Sequence, residues 1–336
     1  MPAATAGWTE ISLLSVPESA QYTVLREVLV PFLDSAVGDG LATRALYLRE
    51  SEGRATTRLV AQLDVSPDAA AEIEARALAL AHPGVAVAPA AIVPLADGSV
   101  FGGNELPEIT RGFLADVRPT VTDVLRLGAD RRDDLVTAAL DLMVAHLPAV
   151  ANSHGPGGVP LSYLSFRSHA EAFIATSRNP DGLRATLDDR YRQSHSEIEQ
   201  RVLEIFGQLD GSVSPLAAAW SARVRAAKPD IIARLEAGSV VVHTEYAQAH
   251  RRERTDFAGN AFHRVVGASD GLQDYLSNDP RFLAARILTS LLYLSLHTVG
   301  LTLVERYYLC YVVSRACEAI YRVDGVSLVS RMTTSD

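Results

Sequence analysis

The chain has 336 residues, 48% of them hydrophobic and 21% charged, the profile of a folded protein with a substantial core and no long disordered tract. Its net charge of −9 argues against a general nucleic-acid binder, which would carry a basic surplus, but leaves room for a peptide partner met by a local basic patch. Residues 1–7 and 332–336 read as fraying ends, and no basic segment followed by an apolar run marks a signal peptide.

The first hundred residues alternate between strand and helix signals. Residues 8–16 alternate as a strand. Residues 18–36 are helical, with Leu25, Val28, Leu29 and Phe32 on one face and Pro31 predicting a kink. Residues 43–49 and 56–63 read as strands joined by a turn that contains Gly53. Ser66 is the expected N-cap of the next helix, with Pro67 in its first turn and Asp68 and Glu72 at the positive end of its dipole. His82-Pro83-Gly84 stops that helix, and 85–93 is a fourth strand. The order β-α-β-β-α-β predicts an α+β fold with a ferredoxin-like first part over 1–106 and a mainly helical part over 107–336.

In the helical part, 131–147 is amphipathic, with Leu135, Ala139, Leu142 and His146 in register, and Pro148 is expected to end it. A Gly/Pro loop at 152–160 precedes a short helix at 168–177, with Ser168 as N-cap and Glu171 completing a near capping box. Helices follow at 181–209 and at 215–235, the latter expected to break at Pro229. A strand at 239–246 and two apolar helices at 280–296 and 302–321, parted near Gly300, complete the reading. Residues 287–304 carry no formal charge, but Thr289, Ser290, Ser295, His297, Thr298, Gly300 and Thr302 make a buried core helix a better reading than a membrane span. Cys310 and Cys317 lie seven residues apart on one helix, about 10 Å of rise and too far for a disulfide. Two reduced, buried thiols fit a cytoplasmic protein.

The chain has no Gly-rich phosphate loop, no HExxH and no GxSxG elbow, and no Cys/His spacing suited to a metal, so no cofactor is expected. Several polar groups stand in apolar company instead. Tyr163, Arg167, Ser168 and His169 fall within a few residues of each other after the Gly/Pro loop. Tyr293 and His297 share a face at i, i+4 on an apolar helix, where the plain reading is a satisfied core. His243 and Glu245 point to one side of the late strand. Arg251, Arg252 and Arg254 form a basic run that serves equally as a solvated face or as a contact for an acidic peptide.

The order of four motifs resembles the glutamate-elimination module of lanthipeptide and thiopeptide dehydratases. Trp8-Thr-Glu-Ile followed by Leu25-Arg-Glu-Val-Leu-Val-Pro-Phe-Leu33 resembles its opening. Phe101-Gly-Gly103 resembles its aromatic-Gly-Gly motif, and Ser168-His-Ala-Glu171 its Ser-His-x-Glu motif. Ser290-Leu-Leu-Tyr293 falls where the module has Ser-Leu-Leu-His. The departures are specific. Of the two arginines in the module's His-Leu-Arg-Leu-Arg strand, one is retained as Arg58 and the other is Val60. Tyr293 replaces the elimination histidine, and His297-Thr298 replaces Asn-Arg. The pattern resembles the divergent thiopeptide pyridine synthases.

That resemblance implies a cofactor-independent enzyme. It would join two dehydroalanines of a leader-bearing, azole-containing peptide in a formal [4+2] cycloaddition, with loss of water and of the leader. It further implies Tyr293 as proton donor, His169 as acid/base, and Ser168 and Tyr163 as orienting groups. Arg58, Arg167, Phe101, His297, His243 and Glu245 would bind substrate, with Phe101 stacking on azoles. Arg251, Arg252 and Arg254 would meet the leader. The partners implied are the modified precursor peptide and other thiopeptide biosynthetic enzymes, with no nucleic acid and no membrane. The alternatives are a glutamate eliminase of a split dehydratase and a non-catalytic leader-binding subunit.

Overall fold

The structure is a computed structural model that describes residues 7–52, 55–95, 100–129, 131–208, 212–243 and 260–333. The chain forms two compact units. One comprises Met1–Asp97, Pro107–Leu135 and Tyr293–Leu301, and the other Gly98–Leu106, Val136–Leu292 and Thr302–Asp336. This division cuts the sequence differently from a single boundary at 106, because two helical stretches group with the sheet.

The first unit is built on a four-stranded antiparallel sheet of β1 (Gly7–Pro17), β2 (Ala42–Glu52), β3 (Thr56–Val65) and β4 (Val85–Pro89) in the order β2-β3-β1-β4. This is the ferredoxin-like order expected for βαββαβ. Strand periodicity sorts the side chains. Ile11, Leu13, Leu59, Ala61 and Leu63 lie on one face and are buried. On the opposite face Glu10, Ser12, Arg58 and Gln62 form a polar cluster beside the buried Val60, joined by Arg111 from α4 (Leu106–Leu127).

The helix expected over 18–36 is irregular. α1 (Gln21–Val24) passes through a wide π turn at Leu25–Leu29 into α2 (Val30–Gly38), with Pro31 in the first turn of α2. Pro31 therefore sits where its missing N–H costs least, and the π turn absorbs the irregularity predicted as a kink. The next helix, α3 (Ala70–Leu78), starts later than expected. Ser66 is not its N-cap; Ser66–Ala69 forms a turn, closed by the Ala69 N–H on the Ser66 carbonyl at 3.0 Å.

The second unit is helical. α5 (Arg132–Val150) runs through Pro148, and α8 (Pro215–Glu236) runs unbroken through Pro229, so neither proline ends its helix as expected. Each costs one backbone hydrogen bond, and burial of the flanking apolar residues outweighs that loss. α6 (Tyr163–Ala175) and α7 (Pro180–Gly207) pack against the helix Leu303–Tyr321. That last helix opens with a full capping box between Thr302 and Glu305, after Gly300 at φ +102° has parted it from Pro280–Thr298. Among the described residues no helix is long and apolar enough to cross a membrane. Cys310 and Cys317 are buried and not joined by a disulfide, and burial raises the pKa of Cys317.

His146 lies at the centre of this unit and is fully enclosed. The Trp220 Nε1–H donates to His146 Nδ1 at 3.3 Å, so the imidazole carries its proton on Nε2, 3.1 Å from Thr289 Oγ1. That hydroxyl in turn donates to the Ala285 carbonyl at 2.8 Å. Burial, with some help from Lys228, pushes the His146 pKa down to about 3. The unfolded chain therefore binds a proton below pH 6.5 that the folded chain refuses, and stability falls as pH drops from 6.5 towards 3. Between pH 7 and pH 5 this residue alone should remove about 2 kcal/mol. Urea midpoints measured across that range should show the loss, and His146→Gln should flatten it.

Candidate active site

A single face of α6 carries Ser168, His169, Ala172 and Phe173, continued by its C-cap Thr176. Together with His263 and Tyr307 they line an open cavity of about 260 Å³. Ser168 is interior to the helix, not its N-cap, which is Ser162. The Ser168 hydroxyl lies 2.9 Å from Nε2 of His263, on the helix Ala261–Gly267.

His169 has a defined tautomer. Its Nδ1 is 2.7 Å from the Ser165 carbonyl, which can only accept, so Nδ1 carries the proton and Nε2 keeps its lone pair. Enclosure of the ring pushes its pKa down to about 4; the Ser165 bond opposes this, and Arg306, Arg286 and His263 add positive charge nearby. At neutral pH about one molecule in a thousand is protonated here. In that state the group can act as a base or hydrogen-bond acceptor, and once it has taken a proton it can return it.

The cavity rests on a buried ionic network. Glu171, on the inner side of α6, is 2% exposed. It meets Arg167 at 2.9 Å, Arg184 at 2.5 Å and the Asn260 amide at 2.8 Å. Arg167 continues to Glu318 at 3.0 Å, and Glu318 also takes Arg315 and the Gly325 N–H, each at 3.0 Å. Burial alone would raise the Glu171 pKa; the two arginines and Asn260 outweigh it and hold the carboxylate below its usual range. Asn260 also N-caps the helix of His263, so Glu171 positions His263 against Ser168. Arg167, expected to contact substrate, is almost fully buried and spent on these carboxylates. Tyr163 is fully buried, with its hydroxyl unpaired; burial first and then Glu318 raise its pKa. It does not line the cavity.

The aromatic-Gly-Gly segment has a supporting part. Phe101 is 4% exposed, which removes it as a surface for stacking substrate rings. It carries the Arg286 guanidinium 5.5 Å above its ring, and Arg286 is one of the charges that hold His169 neutral. β5 (Phe101–Gly102) pairs with β6 (Val241–Val242), which lies within the strand expected over 239–246, of which 244–246 fall outside the described residues. The His243 ring covers Gly102 and the Ser239 carbonyl abuts Gly103, where φ is +108°, so a Cβ at either glycine would collide. His243 is exposed at that point. Glu245 and Arg251, Arg252 and Arg254 lie outside the described residues.

In the sheet unit, Arg58 contacts Glu10 at 2.5 Å and Ser12 at 2.9 Å, with Glu50 at 3.7 Å. Val60, in the place of the second arginine, is fully buried. His297 accepts at Nδ1 from the Arg49 guanidinium at 3.0 Å and at its carbonyl from Arg49 Nε at 3.1 Å, which fixes it as a neutral ring protonated on Nε2. Tyr293, four residues earlier on the same helix, is 8% exposed. Sequence reading missed His263, Phe173, Tyr307, Arg286 and Arg306. His263 had a local signal, three residues after a capping Asn, but its pairing with Ser168 spans 95 positions and has no sequence mark. Among the described residues no three His, Cys, Asp or Glu side chains gather as a metal would need.

Residues 8–317 match the family described as lantibiotic biosynthesis dehydratase C-term. The chain belongs to that family. The match runs through the sheet, the Phe101-Gly-Gly segment and the cavity helix α6 alike, which makes these lantibiotic dehydratase C-terminal features rather than separate modules. Solved structures share the fold. "Crystal structure of TsrL" superposes with a TM-score of 0.75 at 22% identity, over 96% of this chain and 97% of that one. The pyridine synthase TbtD from thiomuracin biosynthesis gives 0.65 at 19%, over 94% and 99%. The tRNA-dependent lantibiotic dehydratase MibB from Microbispora sp. 107891 gives 0.51 at 17%, over 96% of this chain but only 29% of that protein. No curated protein matches the chain.

Proposed function

We propose that this protein is a pyridine synthase of thiopeptide type, acting on a precursor peptide that carries two dehydroalanines. One dehydroalanine and the preceding amide, as its iminol, form a 2-azadiene. The other dehydroalanine is the dienophile. Two new bonds close a six-membered nitrogen ring; water leaves with the former amide oxygen, and the leader leaves as its carboxamide, which makes the ring aromatic. No electron donor or acceptor is needed for that balance.

The observation that carries this reading is the state of the two positions an eliminase would use for a glutamyl carboxylate. Val60 is buried in the sheet, and Arg58 is already neutralised by Glu10. A chain so altered is poorly equipped to hold a glutamyl ester. The likeness in fold to TbtD over nearly the whole length of both chains supports the same reading. The chemistry requires bringing two distant residues of one peptide together, worth about 7–11 kcal/mol at its upper limit, and moving protons, worth about 10²–10⁴ in rate. In this reading Tyr293 supplies a phenolic proton to the amide oxygen, and His169 Nε2 accepts from a substrate N–H. Ser168, tethered to His263, orients the peptide.

The test is purified protein with a synthetic azole-containing bis-dehydroalanine peptide bearing its leader, followed by mass spectrometry. Macrocycle together with free leader amide is expected. An unchanged peptide would leave a leader-binding role, and dehydroalanine made from a glutamylated serine peptide would make the protein an eliminase. Tyr293→Phe should lower the single-turnover rate by about a hundredfold with substrate affinity retained; a wild-type rate would remove Tyr293 from the chemistry.

A further inference from the structure

One contact at the cavity has a chemical meaning beyond orienting a peptide. The Ser168 hydroxyl and Nε2 of His263 lie 2.9 Å apart, and both residues line the cavity. A serine inside a helix commonly turns its hydroxyl back to a carbonyl of the preceding turn; Ser168 meets an imidazole 95 positions away. His263 is held for that contact. Asn260 caps its helix and is anchored on the buried Glu171 at 2.8 Å, and the neighbouring Phe262, 3% exposed, fixes the start of that helix in the core. With a proton on Nδ1, the His263 Nε2 lone pair takes the Ser168 O–H, and the serine oxygen can accept a second proton as the first passes to the imidazole. His169, the next residue, places another imidazole on the same wall. A charge on His263 is among those that disfavour a charge on His169, so the two imidazoles take up protons in turn and not together.

We propose that Ser168 and His263 form a proton couple that expels the leader in the last step of the reaction. This rests on the pyridine-synthase reading above and deepens it. Closing and aromatising the ring takes one proton from the amide nitrogen and two from ring methylenes, and delivers one each to the amide oxygen, the departing water and the departing leader amide. His169 serves the amide nitrogen in that reading, which leaves the methylene protons to another base. For the leader, the carbon that loses its proton and the carbon that loses nitrogen are neighbours in the ring, within reach of one oxygen. The lost hydroxyl and its proton, by contrast, lie on opposite sides of the ring nitrogen. Ser168 takes the methylene proton while its own passes to His263 Nε2. The C–H electron pair becomes the last ring double bond, and the C–N bond to the leader breaks with its pair on nitrogen. The proton then returns from His263 to Ser168, whose hydroxyl gives one to that nitrogen and completes the carboxamide. Ser168 and His263 end as they began, so no outside acid or base is consumed. His263 acts only through Ser168; its part is to hold a proton and give it back.

The test follows single turnovers of the leader-bearing bis-dehydroalanine peptide by mass spectrometry in His263→Gln, whose amide can still bond Ser168 but cannot take its proton. The variant should release leader amide about a hundredfold more slowly than wild type, while a cyclised, dehydrated species that still carries the leader accumulates. In His263→Ala, added imidazole should restore release about tenfold, with circular dichroism checking the fold of both variants. Leader release at the wild-type rate in His263→Gln overturns the couple. So does an equal loss of ring closure and leader release that imidazole leaves untouched, the mark of a merely structural residue. A second measurement needs no turnover. Diisopropyl fluorophosphate should label Ser168 about tenfold faster in wild type than in His263→Gln, because drawing off its proton makes the oxygen nucleophilic. Absent labelling, or labelling that ignores His263, overturns the couple. Labelling that depends on His263, in a protein that makes no macrocycle, keeps the couple and sinks the cyclase reading instead.

Discussion

Glu171→Ala should destabilise the protein by about 3–5 kcal/mol, the range seen when one partner is removed from a buried ion pair. The carboxylate meets two guanidiniums and an amide at hydrogen-bond distance, and its removal leaves Arg167, itself almost fully buried, with Glu318 alone. Against a total stability of about 5–15 kcal/mol, much of the chain would unfold near body temperature. Urea denaturation gives the figure directly. Glu171→Gln keeps the shape and one acceptor, and should cost clearly less. A loss under 1 kcal/mol in the alanine variant would mean that water relieves the stranded arginine. The same variant should also loosen the helix of His263, because Asn260 loses its anchor.

His169→Ala should lower kcat by about 10²–10⁴, the span usual for a positioned proton-transfer group. The more diagnostic measurement is the pH profile. With the His169 pKa pushed down to about 4, its protonation should leave the rate flat from pH 8 to pH 5 and bring an acid limb only near pH 4, whereas an ordinary histidine would give that limb near 6.5. The acid limb is best read in single turnovers, because loss of stability through His146 sets in over the same range and must be separated by measuring the folded fraction at each pH. Arg286→Gln removes one of the nearby positive charges and should move the acid limb upward. A limb that stays in place would remove Arg286 from the electrostatics of the site.

The sheet was readable because its signals are local. Period-2 alternation in 8–16 and 56–63, with Gly84 and the 51–55 turn as punctuation, is enough to set βαββαβ, and the strand order then follows from the usual connections. Helix ends were less readable where a polar residue had two uses. Ser66 and Ser168 both looked like caps; the first lies in a turn and the second faces a cavity. Pro148 and Pro229 looked like breaks, and packing overrode them. The site was legible only in part. Ser168 and His169 stood out as polar residues in a compact motif, but their partners His263, Phe173 and Tyr307 come from distant segments. Arg167 and Phe101 were misread for a shared reason: type and motif show that a residue matters, but not whether it faces a substrate or its own neighbours.

The π turn at Leu25–Leu29 means that the first helical segment holds one residue more than an unbroken α-helix over the same span would need. Gln21, which holds Arg49 and Thr57 by its side-chain oxygen, lies before that surplus, and Leu29 and Leu33, which fill the core, lie at its end and beyond. Shortening the chain by one residue within the turn would let the spiral tighten while the two flanks kept their faces towards the sheet. The same shortening in α2 would rotate every later side chain by about 100°. Relatives that lack this residue are therefore structurally permissible, and the surplus marks where an insertion could once have been absorbed without disturbing what surrounds it.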